Sequence, residues 1–270
     1  MSTSPITADN IVTAEGVTLR FGGLTSLDNV SMSVPRGGVL AVIGPNGAGK
    51  TSLFNCFTGA YTPQEGSISF APNGSETVNL VGHKPHEINS LGVARTFQNI
   101  RLFPAMSALE NVQVGIESRQ SSGPFGAILG LPKARKEARE SVDKAMDLLS
   151  RVGLADRANE TAASLPYGAQ RLLEIARALA TSPQLLLLDE PAAGTNPVEK
   201  RDLANLILDI VGPELSVLLI EHDMKLVTSV ASYVIVLSFG KVIAAGTPAE
   251  VQRDPAVIEA YLGSPKAATA

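Results

Sequence analysis

Three observations predict an α/β fold for this chain. After Pro183, short apolar runs alternate with helical periodicity, the pattern of a parallel sheet covered by helices. Earlier, the apolar run Val39-Leu-Ala-Val-Ile43 feeds into the glycine-rich turn Gly44-Pro45-Asn46-Gly47-Ala48-Gly49-Lys50-Thr51, and Thr51–Phe57 starts a helix. The first segment alternates apolar and polar residues with the period of two that marks antiparallel strands buried on one face.

In chain order, Val17, Leu19 and Phe21 and then Val30, Met32 and Val34 predict two strands, with turns at Gly22-Gly23 and Pro35-Arg-Gly-Gly38. Short strands continue through Gly66–Phe70 and Val93–Phe97. From Ser107 the texture turns helical. Ser107-Ala-Leu-Glu110 has the form of a capping box ahead of Val112, Val114 and Ile116. The stretch Ser121 to Pro132 is rich in Gly, Ser and Pro and reads as a loop. Lys133 to Glu140 then leads into an amphipathic helix carrying Val142, Met146, Leu149 and Val152, which Gly153 ends. Another helix runs from Gly168 to Ala180. Strand Leu185–Asp189, helix Val198–Val211, strand Val217–Glu221 and helix Met224–Val230 follow, and strands Tyr233–Ser238 and Val242–Ala245 close the series. The expected organisation is an α/β core with a mostly helical lobe inserted at about 100–181. No internal repeat is visible, so one nucleotide-binding unit is expected per chain.

Composition narrows the function classes. With 270 residues the chain can bury a full core. It carries 22 basic and 26 acidic residues and no Lys/Arg-rich block, which argues against a nucleic-acid partner. The single cysteine, Cys56, excludes an internal disulfide, fits a reducing compartment and reads as a small core residue. No apolar run approaches the roughly 18 residues of a membrane span. Met1-Ser-Thr-Ser-Pro5 has neither the charged nor the apolar region of a secretion signal, so a cytoplasmic protein is expected. His83 and His86 fall in a polar stretch and read as solvated, and no Cys/His cluster has metal-ligand spacing.

The chemistry rests on two motifs. Glycines in Gly44–Thr51 let the backbone wrap a polyphosphate, with N–H groups pointing inward at the positive end of the next helix. Lys50 would reach the β- and γ-phosphates, and the Thr51 hydroxyl would hold Mg²⁺. Gly44, Pro45, Asn46, Gly47, Ala48, Gly49, Lys50, Thr51 and Ser52 form the expected ATP-binding set. The second motif is Leu185-Leu-Leu-Leu-Asp189-Glu190, a buried strand ending in two carboxylates at the sheet edge where α/β proteins bind ligands. Asp189 would support Mg²⁺, and Glu190 would polarise the water that attacks the γ-phosphate.

With these motifs in register, the chain strongly resembles the ATP-binding-cassette (ABC) ATPases. Leu165-Pro-Tyr-Gly-Ala-Gln-Arg171 stands where that family carries its signature, Thr96-Phe-Gln-Asn99 matches its glutamine loop, and Ile220-Glu-His-Asp223 matches its switch histidine. Ala192-Ala-Gly-Thr-Asn196-Pro resembles its dimer-interface loop, and Phe21 stands 29 residues before Lys50, where the family keeps a ring for adenine. The resemblance implies a P-loop NTPase core, with a parallel sheet, an antiparallel β subdomain and an inserted helical lobe. It implies a single domain over 11–264, a core of about 11–99 and 182–250, and flexible tails at 1–10 and 265–270. It also implies that Gln98 contacts Mg²⁺ and the attacking water, that His222 bonds the γ-phosphate, and that Tyr167, Gly168 and Ala169 face the ATP of a partner subunit. The partners so implied are a second ATPase subunit, two transmembrane permease subunits at the inner face of the membrane and, indirectly, a periplasmic or extracellular solute-binding protein.

The signature departs from the general family pattern. Pro166 replaces the serine, Tyr167 the first glycine and Ala169 the glutamine, while Asn196 stands in for the usual aspartate. These departures, with Arg20-Phe-Gly-Gly23, Gly92–Phe103, Glu190-Pro-Ala-Ala-Gly194, Leu219–Leu226 and Asp254–Gly263, resemble the subfamily that imports branched-chain amino acids, urea or amides. An exporter ATPase of lipopolysaccharide type and a non-transport ABC ATPase remain as alternatives. Ile100, Leu102 and Phe103 are expected to reach the surface after Gln98, some of them lining a groove for a short permease helix.

Overall fold

A computed structural model describes residues 9–73, 75–118 and 132–262, with side chains described over 137–261 in the last segment. The predicted loop at 121–132 lies outside the described residues save its last residue, Pro132, which opens a helix; both tails lie almost wholly outside them. Two sheets carry the fold. Strands β1 (Asn10–Phe21) and β2 (Leu24–Pro35) form an antiparallel hairpin; β4 (Glu65–Phe70) pairs with the other side of β1, and β5 (Val78–Asn79) follows, giving the order β2-β1-β4-β5. The larger sheet contains β3 (Val39–Ile43), β6 (Val93–Arg95), β7 (Leu185–Asp189), β8 (Ser216–Ile220), β9 (Tyr233–Ser238) and β10 (Lys241–Gly246), in the order β10-β9-β3-β8-β7-β6. Its pairs are parallel except β9 with β10.

The continuous apolar runs of β3, β7 and β8 have the physical reason that both faces are covered. Val39, Ala41, Ile43, Leu186, Leu188, Val217 and Leu219 pack toward the helices, whereas Leu40, Val42, Leu185, Leu187, Leu218 and Ile220 pack toward β1, β2 and helix α1 (Lys50–Phe57). The β9–β10 turn, Phe239-Gly240, has both residues left-handed (φ 45° and 77°), the geometry of a tight two-residue hairpin. Gly240 donates its N–H to Ala48 O (3.0 Å) and accepts from Asp28 N (2.9 Å), which wedges the turn between the glycine-rich loop and β2.

Four differences from the sequence reading have local causes. β1 begins at Asn10, because Asn10, Val12, Thr13 and Ala14 also pair across the hairpin before a shift between Ala14 and Val17. The strand at Val93 stops at Arg95, because Phe97 gives its N–H to the Glu174 carboxylate (3.3 Å) and leaves the sheet. A short helix, α2 (Pro85–Leu91), occupies the polar stretch around His86; Pro85 stands at its first position and Glu87 accepts from Lys84 N (2.8 Å). The signature helix opens at Tyr167, one residue earlier than expected.

Helices α3 (Ala108–Glu117), α4 (Pro132–Arg151) and α5 (Tyr167–Ala180) pack on one another. The Ser107 capping box is present: Glu110 N donates to Ser107 Oγ (3.2 Å), and Ser107 N donates to Glu110 Oε2 (2.7 Å). Buried Asn111 shapes the preceding turn, accepting from Phe103 N (2.9 Å) and donating to Phe103 O and Ser107 O (3.0 Å each). Helices α6 (Pro197–Ile210), α7 (Met224–Val230), α8 (Pro248–Val251) and α9 (Pro255–Leu262) complete the described chain.

Gly115 sets how closely α3 meets α5. A Cβ there would stand 2.6 Å from Arg177 O and 2.8 Å from Ala180 Cβ. Alanine ordinarily favours a helix over glycine by about 1 kcal/mol, but overpacking costs about 1–3 kcal/mol. Gly115→Ala should therefore lower the thermal midpoint by a few degrees, at roughly 2–4 °C per kcal/mol for a domain of this size. A midpoint equal to or above that of the parent would show that α5 is free to move away.

Candidate nucleotide site

The glycine-rich loop joins β3 to α1 at the edge of the larger sheet. Gly44 comes so close to β9 that a Cβ would stand 2.1 Å from Leu237 O, and its φ of 150° suits glycine alone. Gly49, the residue before α1, has φ 101°, and a Cβ there would meet Ser26 O at 2.7 Å. Around this turn lies a cavity of about 260 Å³, lined by Ser26, Asn46–Ser52, Gln98 and Glu190. Gly47 faces open space in it.

Lys50 is 7% exposed, and its ammonium donates to Gly44 O (2.8 Å) and Pro45 O (3.1 Å). Burial lowers its pKa, while the carboxylates of Glu190 and Asp189 oppose the shift. Glu190 follows β7 in a left-handed conformation (φ 48°) that turns the chain out of the strand, and its N–H bonds to Ile220 O (2.9 Å). Gln98 Nε2 donates to Glu190 Oε2 (3.1 Å). Lys50, Glu190 and Gln98 therefore meet in one pocket.

Asp189 is placed differently from its neighbour. It is 2% exposed, and Oδ2 pairs with Arg95 Nη2 at 2.8 Å. Arg95 also donates to Asn55 Oδ1 (2.6 Å) and lies over the rings of Phe54 and Phe97. This arginine was not singled out by sequence, because nothing local to Arg95 points to an acid that is 94 positions away.

Three further predicted groups lie outside the pocket. Phe21 is 44% exposed and meets Tyr61 edge-on, with centroids 5.1 Å apart. The His222 side chain is 61% exposed beside Glu221. Glu221 itself is fully buried and accepts from Ala192 N (2.8 Å), His222 N (3.1 Å) and Asp223 N (3.4 Å), tying the 192–196 turn to the histidine turn. Burial pushes the Glu221 carboxyl up, against the pull of those N–H groups and of His222. Tyr167, Gly168 and Ala169 open α5 after Pro166, with no side-chain cap. They do not line the Lys50 pocket either.

The donors fit a nucleotide: a glycine cradle, a buried lysine held by loop carbonyls, and a helix start. Among the described residues no group of three or more His, Cys, Asp or Glu could hold a metal by itself.

Comparison with known proteins agrees with this geometry. A family model described as "ABC transporter" matches residues 27–193. The chain belongs to the ABC transporter family. It is an ATP-binding transport ATPase with the ABC cassette fold. A second model, "Branched-chain amino acid ATP-binding cassette transporter", matches residues 241–267. The cassette is 45% identical to the branched-chain amino acid transport ATP-binding protein BraF of Pseudomonas aeruginosa and 42% to LivG of Escherichia coli, in each case over 94% of this chain and 98% of the relative. Among solved structures it is similar to the ADP conformation of the ATP-binding cassette MJ1267, with TM-score 0.81, 33% identity and coverage of 94% and 99%. A nucleotide-free ATP-binding cassette from an ABC transporter matches with TM-score 0.80 and 32% identity. Among the described residues no helix is long and apolar enough to cross a membrane.

Beyond Gln98 the chain divides its apolar residues. Leu102 packs against the core, while Phe103 is 45% exposed and lines a cleft of about 290 Å³ with Asn89, Arg95, Val114 and Arg177. A larger groove of about 580 Å³ runs alongside, past Asn55, Pro85, Phe97, Asn99 and Arg101.

Cys56, on α1 behind the loop, is 1% exposed, and burial pushes its thiol up to about 12. Only thiolate is nucleophilic, so the native cassette should resist iodoacetamide at pH 8 and take up one equivalent in denaturant. Rapid labelling of the native protein would mean that α1 opens readily.

Proposed function

We propose that this chain is the ATP-hydrolysing subunit of an importer for branched-chain amino acids or related solutes such as urea or amides, docked on the cytoplasmic face of the membrane. The observation that carries the reading is the pocket in which a buried lysine and a strand-end glutamate meet, with Gln98 donating to the glutamate. The names of the relatives and the C-terminal family match favour an importer and this class of solute.

In this reading Lys50 moves from its loop carbonyls to the β- and γ-phosphates, and backbone N–H groups of 46–52 take the remaining phosphate oxygens. Thr51 would hold Mg²⁺ together with the phosphates, and Asp189, with Oδ2 committed to Arg95, would support it through Oδ1. Mg²⁺ supplies charge neutralisation on the phosphates. Glu190 is the general base, and Gln98 orients it and the attacking water. His222 turns in to the γ-phosphate, and Phe21 with Tyr61 offers an aromatic face to adenine. Tyr167, Gly168 and Ala169 point their free helix-start N–H groups at ATP held by a second cassette, in a head-to-tail dimer; their place outside their own chain's pocket supports this arrangement. The residues at about 100–181 form the helical lobe, and two permease subunits, served by a solute-binding protein, complete the transporter.

Thermal shift and hydrolysis test the site together. ATP at about a hundredfold over its Kd should stabilise the cassette by ~2.7 kcal/mol, and Lys50→Ala should lose most of that shift along with turnover. Glu190→Gln should keep the shift while slowing hydrolysis about 10²–10⁴-fold. Normal turnover in either variant would remove that residue from its role.

The Phe103 cleft is proposed to receive a short permease helix. Phe103→Asp should leave folding and ATP binding intact, yet detach the cassette from membranes containing the permease and stop uptake. Unimpaired uptake would remove this segment from the docking surface.

A further inference from the structure

The segment that carries Gln98 is gripped by the signature helix of the same chain. Arg171 and Glu174, on α5, are 3% and 1% exposed and pair with each other at 3.3 Å. Glu174 Oε1 accepts from Phe97 N and Arg101 N, each at 3.3 Å. Arg171 donates to Phe97 O (2.5 Å), to Gln98 O and to the Tyr167 hydroxyl (3.1 Å). Farther along α5, Arg177 donates to Arg101 O and lies over the Phe103 ring. The backbone around Gln98 is therefore bonded on both its donor and acceptor sides to one buried ion pair.

The Arg171 guanidinium also lies over the Tyr167 ring, 5.5 Å from its centroid. Tyr167 stands at the open start of α5, 47% exposed, with its ring against Gly194 of the turn after Glu190. Burying such a pair is costly unless its hydrogen bonds are met, so a buried Arg–Glu pair is better suited to fixing a geometry than to adding stability. Arginine suits this task because its planar fork sends N–H groups in several fixed directions at once, whereas lysine gathers its donors on a single nitrogen.

We propose that Arg171, backed by Glu174, is a positioning residue that links Tyr167 to Gln98, so that a partner's nucleotide at the start of α5 is felt at this chain's own Glu190. The relay runs from Tyr167 through Arg171 to the Gln98 backbone, and from the Gln98 amide to the Glu190 carboxylate. It rests on the dimeric ATPase reading above. It adds that the two nucleotide sites communicate through the interior of one chain. Arg171 is buried and acts through Gln98.

Two full-length copies joined in tandem test this, with Glu190→Gln in one half so that hydrolysis occurs only at the other half's Glu190. Arg171→Lys keeps the charge beside Glu174 but cannot reach Phe97 O, Gln98 O and Tyr167 together. In the half that retains Glu190 it should lower kcat by about three- to tenfold, the worth of one or two hydrogen bonds, with KM changed less than twofold. The loss should be at least threefold greater there than when Arg171→Lys sits in the other half. Tyr167→Phe in the Glu190 half should lower kcat in the same direction, and combining it with Arg171→Lys should add little, because both cut one relay. Equal losses from either half, accompanied by a lower melting temperature, would mean that the pair is only structural and would overturn the relay. Additive losses would remove Tyr167 from it. A parent tandem protein that hydrolyses no ATP would overturn the ATPase reading itself, an outcome distinct from either.

Discussion

The level at which three parallel strands end determines what this molecule can bind. Val42 pairs with Ile220, and Ile220 with Asp189, so β8 and β7 finish level and β3 runs one residue farther, to Ile43. The residues that follow, Gly44, Glu221 and Glu190, accordingly leave the sheet along one edge. A slip of one residue in any strand would reverse its faces and pull its terminal residue out of line. The apolar layers on both sides of the sheet hold that register, which makes core packing and site geometry one constraint.

At this edge the charges are arranged unequally. Lys50 is buried near two acids, but only Glu190 lines its pocket, since Asp189 is tied to Arg95. Removing one member of a buried pair typically costs about 3–5 kcal/mol, so the Asp189–Arg95 bond fixes the end of β7 against β6 as well as the charge. Glu221, one strand over, spends its carboxylate on three backbone N–H groups. Of three neighbouring acids, Glu190 lines the pocket, Asp189 holds an arginine and Glu221 holds backbone N–H groups.

Short-range patterns were readable from sequence, and long-range polar contacts were not. Continuous apolar runs marked β3, β7 and β8 because both of their faces are covered, and Ser107 with Glu110 marked a helix start because a capping box closes within one turn. The loop at Gly44 and the acid at Glu190 could be placed together because each adjoins such a strand. By contrast, Tyr61 beside Phe21, Arg95 beside Asp189 and Asn111 beneath the 103–107 turn depend on tertiary approach. The early end of β6 is the plainest case. Val93–Phe97 looks like strand throughout, yet a glutamate 77 positions later takes the Phe97 N–H. Helix α2 was missed because it is short and polar, with little apolar periodicity to reveal it.

The brace formed by the β9–β10 turn carries a consequence for how the protein is made. β3 has β8 and β9 as its two sheet neighbours, and Gly240 bonds to Ala48 within the glycine-rich loop. All of those partners lie beyond position 215. At about 5–20 residues per second, the ribosome exposes β3 for roughly 10–35 s before its neighbours emerge. During that interval a strand apolar on both faces has no mate, and its loop lacks the turn that shapes it. The nascent chain can close the β1–β2 hairpin early, but the pocket around its glycine-rich loop is complete only when nearly the whole length has been translated.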